Sequence, residues 1–210
     1  MKTKIIINFF IFLFFTSSCK KDDLREYKLE GYAQKGPFLM GSNVTIIELD
    51  NNLIPTGKSY YSTIDDNAGH FEIPRVTLSS NYAQIKVEGS YYDENFGGIP
   101  WGEDLTLFST VDISKYSAVN INLMSHIEEK RIKYLLDKDV SFQNAKTQAH
   151  NELLKVFNLE DKTISNAEHL NITSPDIDGG ILLLISSIIA KNFGTIYTLQ
   201  EFLLNILTDF

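Results

Sequence analysis

The sequence predicts an α+β fold by segregation, with an antiparallel β-sandwich first and a small all-α domain after it. Three observations predict it. Between Tyr27 and Ile113, short runs rich in β-branched and aromatic residues alternate with turn signals, at the spacing of strands. Beyond residue 120 the apolar residues recur at helical spacing instead of at every second position. Ahead of both stands a short apolar leader that ends in the only cysteine of the 210 residues. The chain divides accordingly into a signal peptide over 1–18, a tether over 19–26, the sandwich over 27–118 and the helical domain over 119–210.

In the leader, Lys2 and Lys4 precede an apolar run from Ile5 to Phe15, broken only by Asn8, and then the small residues Thr16, Ser17 and Ser18. That is the order of a secretory signal. Crossing a bilayer takes about 20 apolar residues, so the run is too short for a permanent span. Cys19 after small residues resembles the lipobox of bacterial lipoproteins, with Thr16 at the position where that family usually has Leu. The resemblance implies that Cys19 is acylated and becomes the new N-terminus, and two or three acyl chains hold a protein on a membrane durably. Lys21, Asp22 and Asp23 resemble the signal that sends Bacteroidota-type lipoproteins to the outer face of the outer membrane; the alternative is a solvated tether. No cysteine is then left for a disulfide, so the mature fold rests on packing.

The formal charge is −8, and more negative still once Lys2 and Lys4 leave with the leader. Phosphate backbones are bound by clustered Lys and Arg, so nucleic acid is excluded as a partner.

Within the sandwich, Ala83, Ile85 and Val87 alternate with Gln84, Lys86 and Glu88, the period of a half-buried strand. "VTIIELD" from Val44 and "HFEIPRV" from His70 are further strands, while "DNNLIPTG" and "DDNAG" have the composition of turns. The residues Gly41, Ser42, Asn43, Val44, Thr45 and Ile46, then Thr63, Asp65, Asp66, Gly69, His70 and Phe71, then Tyr82, Ile85, Val87, Gly89 and Tyr91 resemble the carboxypeptidase regulatory, transthyretin-like domain. The resemblance covers most of 29–92 and implies the seven-stranded sandwich of that family. "GYAQKGPF" at Gly31 and "GSNVTIIELDNNLIPTGKSY" at Gly41, followed by "VNINLMSHIEEKRIKYLL" and "AKTQAHNELLKVF", resemble uncharacterised bacterial surface lipoproteins, a likeness that brings no activity with it.

In the helical half, Met124, Ile127, Ile132, Leu135 and Leu136 form one apolar stripe, and Phe142, Ala145, Ala149, Leu153 and Phe157 another, after Ser141 as N-cap. "DGGILLLISSIIA" is apolar almost all round and predicts a central buried helix. A last helix is expected from Thr198, in a capping box with Glu201, burying Phe202, Leu203, Ile206 and Leu207. It reaches Phe210 without a Gly or Asn cap, so the domain reads as truncated or as compact only by a small margin.

Catalysis needs a positioned nucleophile, base or metal. His70, His126, His150 and His169 are scattered, with no zinc-protease motif, no nucleophile elbow and no phosphate-binding glycine loop. His126 and Glu129 share a helical face as a base and its orienter, or as a simple surface pair. Asp65, Asp66 and Asn67, and again Asp176 and Asp178, are acidic enough for calcium but lack the distal glutamate of an EF-hand loop. No catalytic residue, metal or cofactor is therefore assigned.

One stretch has the composition of a binding surface. "YYDENFGGIPWGED", residues 91–104, sets Tyr91, Tyr92, Phe96 and Trp101 among glycines. Rigid rings lose little entropy on binding and stack on sugars and peptide side chains; the competing reading folds them back onto the core. The expected function is that of an outer-membrane lipoprotein, facing the cell exterior, which acts as a non-catalytic binding or assembly module for a surface glycan or protein. The alternatives are a stalk that presents a further domain and an accessory fragment of a glycan-processing enzyme.

Overall fold

The computed structural model describes residues 24–100, 104–192, 199 and 201–202. The expectations for Cys19, Lys21, Asp22, Asp23, Trp101, Thr198, Leu203, Ile206 and Leu207 lie outside them. Among the described residues, seven strands and three helices make a mixed α+β fold. The strands are β1 (Arg25–Gln34), β2 (Asn43–Leu49), β3 (Pro55–Thr63), β4 (His70–Leu78), β5 (Tyr82–Gly89), β6 (Leu105–Asp112) and β7 (Ile121–Asn122). The helices are α1 (Leu123–Leu136), α2 (Phe142–Val156) and α3 (Ile177–Asn192).

The strands form two sheets, ordered β4-β1-β7 and β3-β2-β5-β6. Period-two alternation decides which faces meet. Leu29, Ala33, Phe71 and Ile73 from the first sheet join Val44, Ile46, Ile85, Val87, Leu105 and Leu107 from the second in one buried cluster. Pairing is antiparallel except between β1 and β7, where Ala33 faces Ile121 and Gln34 faces Asn122 in parallel register. The sheet thus takes its third strand from chain beyond residue 118. β7 passes straight into α1, whose N-cap Asn122 accepts from the Ser125 amide in a complete capping box. The cluster continues into Leu123, Met124, Ile127, Leu153, Leu154, Leu182, Ile185, Ile189 and Leu199, so strands and helices share one core.

α1 and α2 lie against the outer face of β5 and β6. His126 stacks on Phe108 at 5.6 Å between centroids, and Tyr82 packs on Phe142 at 4.9 Å. A second cluster of Ile132, Leu135, Phe142, Ala145 and Ala149, with Leu53 and Tyr82 packed against it, closes that seam.

Two expectations are corrected here. Ser141 occupies the N-cap position of α2 but makes no side-chain capping bond. α3 is not a central helix. It buries Gly179, Leu182, Ile185, Ser186 and Ile189 along one side and leaves Leu183, Leu184 and Ile188 between 41% and 51% exposed. High mean hydropathy says that a helix is apolar; only the i, i+3, i+4 stripe says which side is covered.

Candidate functional site

The aromatic loop is rooted on a buried charge. Lys35, at the end of β1, is 0% exposed. A lysine is almost never fully buried unless its ammonium is paired. Here Nζ lies 2.8 Å from Asp93 Oδ2 and 3.0 Å from Glu94 Oε2, and 5.2 Å from the Tyr91 ring centroid. Glu94 Oε2 also accepts from the Gly36 amide, and Ser186 Oγ of α3 stands within hydrogen-bond reach of both the Glu94 carboxylate and the Lys35 carbonyl. A Cβ at position 36 would collide with the Tyr92 carbonyl, so only glycine lets the two segments approach this closely.

The loop's own turn is set by Asp93. Its Oδ1 accepts from the Asn95 and Phe96 amides, and Gly97, at φ +70°, takes the left-handed position behind it. Burial pushes the Asp93 carboxyl up, but the Lys35 ammonium and the Phe96 and Asn95 amides outweigh it and hold the group below its ordinary range. On the far side, the Asn95 amide group donates to the Ser187 carbonyl of α3 at 2.9 Å.

This root sorts the rings. Tyr91 bridges Phe38 and is 2% exposed, so it belongs to the core. Tyr92 is 43% and Phe96 69% exposed, and Ile99 beside them 50%. Among the loop's described residues, one ring therefore lies inside and two outside.

The helix–sheet seam holds a different set of charges. Glu128 of α1 and His150 of α2 are both buried, with Oε1 and Nδ1 2.8 Å apart. Burial disfavours both ions. The bond between them opposes that, and the pair keeps a shared proton to higher pH than either side chain free in water. Next to them Lys146 pairs with Glu168 at 2.8 Å and donates to the Thr110 carbonyl. Glu129, one residue on, takes the Gln84 amide on Oε1, and burial pushes its carboxyl up to about 7 against the pull of Gln84, Lys133, Lys146 and the Thr110 hydroxyl.

The other candidate residues have structural partners. His126 Nδ1 accepts from the Phe108 amide at 3.2 Å, while Glu129 turns to Gln84. Asp65 pairs with His70, and Asp66 accepts from the Ala68 and His70 amides, closing its own turn. Asp176 accepts from the Gly179 amide at the start of α3. His169 packs edge-on against Tyr116 at 4.5 Å. Sequence reasoning missed Lys35, Asp93 and Glu94, and it missed that His150 pairs with Glu128. One signal was present: Lys146 and His150, four apart, run beside the inward stripe of Ala145, Ala149 and Leu153, where a charge must find a partner.

No family model, no curated protein and no solved structure matches this chain.

Proposed function

We propose that the chain is a lipid-anchored surface protein in which a transthyretin-like sandwich with attached helices acts as a non-catalytic binding module, and that Tyr92 and Phe96 form its contact surface. One observation carries the reading: a loop held by buried ion pairs to Lys35 nevertheless turns Phe96, at 69% exposure, into solvent. Ordering a loop costs about 1–2 kcal/mol per residue. A loop already fixed by Asp93 and Glu94 has met that cost before a partner arrives, the condition for recognition by rigid rings.

The strand direction supports the same reading. With an anchor at Cys19, six residues before Arg25, β1 leads away from the membrane for 10 residues, or about 30 Å, to Lys35 and the loop. The rings then stand at the pole away from the bilayer, open to a glycan or protein outside the cell.

The test has two arms. Radiolabelled palmitate should enter the wild type and not Cys19→Ala, and its failure to enter the wild type would remove the anchor. The double variant Tyr92→Ala/Phe96→Ala should keep the melting temperature within a few degrees while losing wild-type binding on a glycan array or in an envelope pull-down. Undiminished binding by the double variant would reject this surface.

A further inference from the structure

A cleft of about 270 Å³ opens where the β2–β3 turn, the outer face of β5 and β6, and α1 meet. β2 runs from the aromatic-loop end of the sandwich at Asn43 to this cleft at Leu49, so the two sites stand at opposite ends of a strand. Leu49, Leu53, Pro55 and Ile132 make its apolar wall; Gln84, Thr110, Glu129 and Lys133 supply its polar groups. Leu53 is held over the cleft at φ +58°, in a turn whose Asn52 and Ile54 amides both donate to Asp50.

Glu129 is unusual within it. Oε1 is engaged by Gln84 and the Thr110 hydroxyl also acts on the carboxylate, but Oε2 is buried with no hydrogen bond of good geometry. A buried acceptor left so costs about 1–3 kcal/mol, more when charged, and each such group in a folded protein calls for a cause. The charged side chains acting on it are Lys133 from α1 and Lys146 from α2, and Lys146 is already committed to Glu168 and the Thr110 carbonyl. Lys133, one turn beyond Glu129, is exposed at the rim.

We propose that this cleft binds a small apolar amino acid, with its ammonium on Glu129, its carboxylate toward Lys133 and its side chain against Leu49, Leu53, Pro55 and Ile132. The volume suits that class, since pockets for larger ligands start at about 300 Å³. A zwitterion answers both signs of charge at once, where a simple amine would meet the lysine and a simple acid the glutamate. Binding needs the ionised carboxylate. With Glu129 titrating at about 7, affinity rises with pH by about tenfold between about pH 6 and about pH 8.

The experiment is amide-resolved NMR on the full chain with three probes of like shape: L-leucine, isoamylamine and 4-methylpentanoate. Leucine should move the Gln84, Thr110 and Ile132 resonances, with the stated gain in affinity on raising the pH. Isoamylamine should bind more weakly and 4-methylpentanoate not at all. Glu129→Gln should abolish the pH dependence and weaken leucine at least about tenfold, the loss of one charged contact. Lys133→Ala, a surface change that leaves folding intact, should weaken leucine and spare isoamylamine. The proposal fails if millimolar leucine moves nothing, if both variants bind leucine as the wild type does, or if 4-methylpentanoate binds as tightly.

Discussion

Two regions bury carboxylates, and they treat them in opposite ways. At the loop root Asp93 meets an ammonium and two amides, and stays charged below its ordinary range. At the helix–sheet seam Glu129 meets the Gln84 amide, the Thr110 hydroxyl and the more distant Lys133 and Lys146, and burial still drives it toward the neutral acid. Glu48 is likewise held low, because donors from Thr56, Ser79 and Ser80 outweigh its burial, whereas burial outweighs the donors at Glu129. The balance between the donors aimed at a carboxylate and the depth of its burial decides its charge.

The contrast is broken most strongly at the root. Lys35→Ala leaves Asp93 and Glu94 close together without their cation, and is expected to cost about 3–5 kcal/mol in urea unfolding. Phe38→Ala, at 0% exposure, should cost a similar amount, about 3–5 kcal/mol. A loss under about 1 kcal/mol for Lys35→Ala would mean that the root does not hold the loop.

Next in size is the seam. The folded-state pKa of Glu129 lies above its unfolded value, so the folded chain binds more protons between 4.5 and about 7, and stability falls as pH rises through that window. His150, also raised, adds stability below its ordinary value that is lost as pH rises through its folded one. Glu129→Gln should therefore stabilise by about 1–3 kcal/mol near pH 8 and by little near pH 5. An equal effect at both pH values would deny the shift. Asp93 has the opposite sign, its contribution being present above the unfolded value and lost as pH falls through the folded one. Asp93→Asn should flatten the acid limb of the stability profile and leave the alkaline limb alone.

How far the sequence could be read follows the same division. Ala83, Ile85 and Val87 are core residues because alternation of period two is written in the chain itself, and they are buried as their spacing requires. The stripes of Ile127, Ile132 and Leu135 and of Ala145, Ala149 and Leu153 were legible for the same reason. Lys35 was not. In "AQKGPF" a lysine before Gly-Pro reads as a solvated turn, and its partners come from Asp93 and Glu94, 58 and 59 residues on. Glu128 and His150 meet across 22 residues and two helices, a pairing that no local period encodes. The exposed side of α3 was hidden by "ILLLISSII", where apolar residues stand on every side and the polar Ser186 is itself buried, so that polarity does not mark the seam.

The smallest expected effect separates two residues of one type. Phe96→Ala should change stability by no more than about 0.5 kcal/mol, against the several expected for Phe38, because it removes a solvent-facing ring from a loop that its backbone and Asp93 already hold. A loss comparable to that of Phe38 would return this ring to the core.

The claim that donors outweigh burial at Asp93 and burial outweighs donors at Glu129 is tested most directly by one titration, with carboxyl carbons of both followed by NMR in the same sample. Asp93 should titrate below the ordinary carboxylate range and Glu129 near 7. Both groups titrating together at ordinary carboxylate values, or Asp93 above Glu129, would contradict the account.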